Sequence, residues 1–177
     1  MFGFIIDFFR RRALRRHQSQ TPTGLLPLSQ IKAYMAIVDV EEYSSDCCKT
    51  DIINYFRKAG IKGSIFFRDF RKISSEDRLI TSIQTTINRK DLNWFGRPSD
   101  YKMGVMEEQK PDLLLCLIKD MDFPMEYLVR ASKARFKIGR SQTGGNAFDF
   151  VASDPEGKSY SQLEAFQGIK KYLETIR

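Results

Sequence analysis

At 177 residues, 42% hydrophobic and 29% charged, the chain has apolar material for one core and too little length for two cores and a linker, and its composition excludes both wholesale disorder and a membrane-spanning body. Three cysteines, Cys47, Cys48 and Cys116, offer only a vicinal pair, and the single histidine, His17, has no Cys/His cluster around it, which excludes a disulfide framework and a structural metal. The formal charge of +7 is uneven: Arg10, Arg11, Arg12, Arg15 and Arg16 against Asp7 place +4 within residues 1–20, and charge concentrated in this way favours polyanions or anionic surfaces.

Residues 2–9 read Phe-Gly-Phe-Ile-Ile-Asp-Phe-Phe, and helical spacing sets Phe2, Ile5, Ile6 and Phe9 on one side. The arginines follow the apolar run instead of preceding it, and the run is far shorter than the roughly 20 residues of a spanning helix. Neither a secretory signal nor a transmembrane span is expected, and the expected location is the cytoplasm. Three readings of this extension stay open: a helix docked on its own domain, an RNA- or ribosome-binding arm acting through the five arginines, and an interfacial helix on an anionic membrane. The polar stretch Gln18-Ser19-Gln20-Thr21-Pro22-Thr23-Gly24 has linker character. The expected division is a basic extension over 1–20, a linker over 21–30 and an α/β domain over 31–177.

The apolar run 33–40 reads as a buried strand ending in acidic residues. A helix follows, with Asp46 as its cap, Ile52, Ile53, Phe56 and Ala59 inward and Gly60 as its stop. Ser64-Ile65-Phe66-Phe67 completes a strand–helix–strand unit of the parallel, right-handed kind. Ser74-Ser75-Glu76-Asp77 predicts a second capped helix carrying Leu79, Ile80, Ile83 and Ile87. The segment 91–99, with its aromatic pair beside Gly and Pro, suits a specific loop, either an aromatic plug or a recognition loop in which Trp94 stacks on a ring. Leu113 to Ile118 is the most apolar run and belongs at the sheet centre. A helix over 124–134, strands at 136–139 and 147–152, and a final helix with the capping box Ser161-x-x-Glu164 complete the chain. Five strands alternating with helices predict an open, mostly parallel doubly wound sheet in order 2-1-3-4-5.

In such sheets ligands bind beyond the carboxyl ends of the strands. The candidate cleft residues are therefore Asp39, Glu41, Asp69, Lys119, Asp120, Arg140 and Ser153, joined by Asn93 and Trp94 from the aromatic loop. The same charges equally describe a solvated rim. No phosphate-loop or dinucleotide glycine motif is present, and Asp39, Glu41 and Glu42 would repel a phosphate, so no cofactor is expected. Gly144-Gly145 reads as a plain turn sooner than as an anion loop. With its only histidine in the extension, the chain lacks a Ser/His or Cys/His nucleophile pair, and no specific small molecule is indicated. A non-catalytic binding protein is the expectation, against a small hydrolase or transferase acting on a phosphorylated or sugar-like ligand, or a peripheral membrane protein.

The segments Ile37-Val38-Asp39-Val40-Glu41-Glu42, Thr81-Ser82-Ile83-Gln84-Thr85, Asp91-Leu92-Asn93-Trp94-Phe95-Gly96-Arg97-Pro98 and Ala134-Arg135-Phe136-Lys137-Ile138-Gly139 resemble a family of short bacterial proteins known only as a domain of unknown function. The resemblance covers about residues 30–177. It implies a basic helical N-terminus and a Rossmann-like body, with no activity and no site residues to carry over. Asp112 to Gly139 is also similar to the N-terminal half of heptosyltransferase-type glycosyltransferases, a kinship of fold that implies no function.

Overall fold

A computed structural model describes residues 2–72, 83–141, 146–155 and 158–176, with the side chain of Phe2 excluded. Among these residues a six-stranded, all-parallel sheet is flanked by five α-helices. The strands are β1 (Ala33–Asp39), β2 (Lys62–Asp69), β3 (Thr86–Asn88), β4 (Leu113–Cys116), β5 (Phe136–Gly139) and β6 (Phe150–Val151). The helices are α1 (Phe2–His17), α2 (Ser45–Lys58), α3 (Asp100–Glu108), α4 (Phe123–Ala131) and α5 (Gln162–Thr175).

Alternation along the strands divides the core into two halves, one on each face of the sheet. Tyr34, Ala36 and Val38 of β1 and Leu113 and Leu115 of β4 meet Cys48, Ile52 and Phe56 of α2 and Phe166, Ile169 and Leu173 of α5. Met35 and Ile37 of β1 and Leu114 and Cys116 of β4 point the other way, into α3, α4 and Ala13 of α1. Both faces of β1 and β4 are covered, which is why these strands read as unbroken apolar runs.

The strand order is β3-β2-β1-β4-β5-β6. The sheet is α/β and parallel as expected, but the count and order differ in detail, because the short strand β3 occupies the edge beyond β2. The expected helix start at Ser74 to Asp77, with Leu79 and Ile80, lies outside the described residues, as does the Gly144-Gly145 pair. The continuation of that helix through Ile83 and Ile87 is corrected: Ile83 lies in a turn and Ile87 is fully buried in β3.

A helix missed by the periodicity, α3, holds that edge. Its Lys102 is 2% exposed, and its ammonium donates to the carbonyls of Ile83 at 2.5 Å, Gln84 at 3.3 Å and Thr86 at 2.6 Å, with Asp91 at 3.8 Å. A buried ammonium needs several acceptors. The chain entering β3 supplies them, and this selects an extended conformation over a helix. The C-terminal edge is shorter than expected, with only Phe150–Val151 of the 147–152 run pairing with β5. Very short edge strands such as β3 and β6 limit sheet-to-sheet association.

Local signals set several element ends. Gly60 adopts φ +72° after α2, the left-handed conformation that favours glycine. Ser161 and Glu164 form the expected reciprocal capping box of α5. Asp46 sits inside the first turn of α2, not at its cap, where its charge still suits the helix dipole.

The amphipathic face of α1 also differs from expectation. The less exposed side of α1 carries Ile6, Arg10, Ala13 and Leu14, while Ile5 is 43% exposed and Phe9 38% exposed. Almost every residue from 2 to 9 is apolar, so periodicity there cannot define a face; the small side chain of Ala13, 8% exposed, lets the helix approach α4 closely. The segment after it is tied to the body, with the Ser19 amide donating to the Arg130 carbonyl and the Gly24 amide to the Arg135 carbonyl, both at 2.9 Å. The Thr23 hydroxyl donates to Asp149 at 2.6 Å.

Candidate functional site

Two places on the molecule have candidate chemistry, and they are built differently. The first is the groove of about 450 Å³ beyond the carboxyl ends of β1, β2, β4 and β5, lined by Asp39, Glu41, Glu42, Arg68, Lys119, Asp120, Arg140, Ser159 and Tyr160. Five of the expected cleft residues meet here: Asp39, Glu41, Lys119, Asp120 and Arg140.

Parallel register sets Asp39 opposite Arg68. The guanidinium of Arg68 donates to Asp39 at 2.9 Å and to Asp122 at 2.9 Å, lies 3.5 Å from Glu41 and covers the ring of Phe70. Burial pushes the Asp39 carboxyl above its ordinary value, while an amide hydrogen bond from Glu41 and the charge of Arg68 hold it down. Arg140, whose side chain is 1% exposed, donates to Glu42 at 2.7 Å and to the carbonyl of Tyr160. Glu42 also accepts from the Gln162 amide at 2.5 Å, so a protein carboxylate already occupies the N-terminus of α5. Gln162 bridges back to the backbone of Asp39 through both ends of its amide, at 3.1 and 2.9 Å. Lys119 donates to Ser159 and lies 3.5 Å from Asp154.

The charges of this groove are therefore mostly satisfied by one another. Asp120 projects into solvent. A buried polar shortfall lies at the groove between Arg140 Nε and Asp154 Oδ1, 3.8 Å apart and without hydrogen-bond partners among the described residues.

Four other expected cleft residues lie elsewhere. Asp69 is 2% exposed and clamped by Arg71 through two 2.9 Å contacts. Asn93 folds its side chain onto the amides of Phe95 and Arg97 at 3.2 and 2.9 Å, shaping its own loop. Trp94 lies beside α1, and Ser153 is exposed beyond β6. Sequence reasoning missed Gln162, Ser159 and Tyr160, since only the return of α5 beneath β1 brings them to the strand ends. Burial pushes the Cys48 and Cys116 thiols up to about 12, well away from thiolate character. Among the described residues no cluster of His, Cys, Asp or Glu suits a metal ion, and no helix is long and apolar enough to cross a membrane.

The second place is the outward side of α1. Arg10 does not share it: its Nε donates to the Phe95 carbonyl at 2.8 Å and its guanidinium covers the Phe123 ring at 5.1 Å, where Gly96, at φ +95°, leaves room for it. Arg10 thus fastens the helix to the 93–97 loop. Arg11, Arg12, Arg15 and Arg16 are exposed and, with Phe8, line an open concavity of about 570 Å³. None of these four forms an ion pair among the described residues.

Exposed apolar side chains continue from this basic patch. Phe4 is 81% exposed, Phe8 54% and Trp94 63%. Phe9 joins the last two by edge-to-face contacts, 5.7 Å from Phe8 and 5.1 Å from Trp94. Phe4, Phe8, Arg11 and Arg15 follow i, i+4, i+7, i+11 spacing and form one stripe of about 16 Å along the helix. Rings and guanidinium groups therefore share a single line on the surface.

No curated protein and no solved structure matches the chain. The resemblance seen in the segments from Ile37 to Gly139 does correspond to a family, and the match reaches past them into α1. A single family model covers residues 4–176, and the chain belongs to the Family of unknown function (DUF6913).

Proposed function

We propose that this chain is a non-catalytic binding or assembly protein of the cytoplasm, in which a Rossmann-like body holds α1 in place and the outward side of α1 engages RNA, on a ribosome or a similar polyanion. The observation that carries this reading is the set of four solvent-facing arginines that form no ion pair among the described residues. Guanidinium groups match phosphate oxygens in bidentate geometry and stack on bases, which makes arginine better suited than lysine to nucleic acid. Clustered phosphate contacts release counterions together, so affinity falls steeply with salt.

The alternatives explain less. A hydrolase or transferase at the strand ends needs groups free to act on a ligand, whereas Asp39, Glu42, Arg68 and Arg140 are engaged with one another. A peripheral membrane helix separates its apolar and charged sides along its length. Here Phe4 and Phe8 share their stripe with Arg11 and Arg15, and laying the helix flat would drive guanidinium groups towards the acyl region together with the rings.

The test is binding of the full chain to a mixed-sequence RNA, followed by fluorescence anisotropy over a salt series. Replacing Arg11, Arg12, Arg15 and Arg16 by Ala is expected to weaken binding and flatten the salt dependence. Unchanged affinity in that variant rejects the reading. Substitution is a cleaner probe than truncation, because removing α1 would uncover Phe95, Phe123 and Tyr127.

A further inference from the structure

We infer that the outward stripe of α1 selects single-stranded RNA, with Phe4 and Phe8 stacking on unpaired bases while Arg11 and Arg15 hold the adjoining phosphates; this rests on the RNA reading above. Arginines alone would serve a duplex equally well, since duplex phosphates face outwards and need only positive charge. The rings are what the duplex cannot use. Phe4 at 81% exposure and Phe8 at 54% belong to neither half of the core and help little to dock the helix. Bases have free π-faces only where they are unpaired, and a basic surface interleaved with exposed aromatic rings is the arrangement by which proteins bind single strands without sequence preference.

Trp94 extends this surface sideways through Phe9. As the only tryptophan in the chain, it also reports on the site, because a base lying against the indole quenches its fluorescence. Charge and aromatic surface therefore make separate contributions to binding: the arginines supply attraction to any nucleic acid, and the rings supply the preference for an unpaired one.

The experiment uses the full-length protein with a mixed-sequence RNA of about 15 nucleotides, alone and annealed to its complement, a length within the usual range of single-strand sites. The double substitution Phe4→Ala and Phe8→Ala is compared with Arg11→Ala and Arg15→Ala. The aromatic variant is expected to lose about tenfold in affinity for the single strand and little for the duplex, with its salt slope retained. The arginine variant is expected to weaken both and to lower the slope. Trp94 emission in the unsubstituted chain should fall on adding the single strand and change little with the duplex.

Equal affinity for the two RNAs, or single-strand affinity indifferent to loss of both rings, overturns the stacking inference and leaves the RNA reading standing. Absence of binding to either RNA at low salt overturns both. Should the same aromatic variant abolish binding to phosphatidylserine vesicles in a protein that ignores RNA, the surface belongs to a membrane. Both rings project into solvent, so the variant is expected to unfold at the same denaturant midpoint as the parent, and a shifted midpoint would contradict the outward placement on which the inference depends.

Discussion

The strand-end groove and the outward side of α1 are both rich in charged side chains, yet they use them in opposite ways. At the groove, Arg68 bridges Asp39 and Asp122, and Arg140 is buried against Glu42 and the turn before α5. On α1 the four outward arginines are exposed and form no ion pair among the described residues. The difference teaches that position at the carboxyl ends of a parallel sheet does not by itself make a binding site. Charges that close a network hold the fold together, and charges left open are the ones available to a partner.

The comparison breaks first if the groove network proves dispensable. Arg140→Met leaves Glu42 and the Tyr160 carbonyl without their shared donor, and removing one member of a buried ion pair costs about 3–5 kcal/mol. A urea titration followed by circular dichroism should show that loss, with RNA affinity of the surviving folded protein unchanged. A loss below about 1 kcal/mol would mean the groove is not a structural network.

The converse substitution set, alanine at Arg11, Arg12, Arg15 and Arg16, should leave the denaturation midpoint in place. It should also reduce RNA affinity by about a hundredfold near physiological salt, with a salt slope smaller by about 0.7 for each phosphate contact removed. Stability lost together with affinity would show that these arginines belong to the fold after all.

A smaller effect sharpens the account of buried charge. Lys137 lies on β5 beneath α4, and its ammonium donates to the Val129 carbonyl at 2.9 Å, satisfying one of the last carbonyls of that helix. Burial pushes its pKa down to about 8 from the ordinary 10.5. The folded protein therefore gives up this proton before the unfolded chain does, and the penalty for keeping it is fully present below pH about 8 and relieved as pH rises towards the unfolded value. Relative to Lys137→Met, the unsubstituted protein should gain stability through that window, measured by denaturant titration at pH 7, 8, 9 and 10. A flat difference would show that the ammonium is already well solvated. Least of all, Trp94→Phe should alter stability by less than about 0.5 kcal/mol, since the indole is mostly exposed.

The elements whose signals are local were legible in the sequence. The apolar runs at Met35 and Leu114 and the capping box at Ser161 point to the strands and helix that form. Elements that depend on a distant partner were not legible in the same way. Ile87 fits a helical stripe as well as a strand, and the decision comes from Lys102, which reaches the chain around it from a helix that periodicity does not reveal. Asp69 and Asn93 look like cleft residues by position, yet one is held by Arg71 and the other by its own loop.

Composition and periodicity by themselves determined a parallel α/β layer with an arginine-rich helix ahead of it, because burial of apolar faces on both sides of a sheet leaves a repeating signature in the chain. Which charges are open was decided by the tertiary structure alone. Glu42, Arg140 and Gln162 are far apart along the chain and meet only when α5 returns to the ends of β1 and β5. The side that α1 shows to solvent depends on Ala13, Arg10 and the surface of α4, since a helix apolar on every side of its first turns carries no instruction about which side to bury.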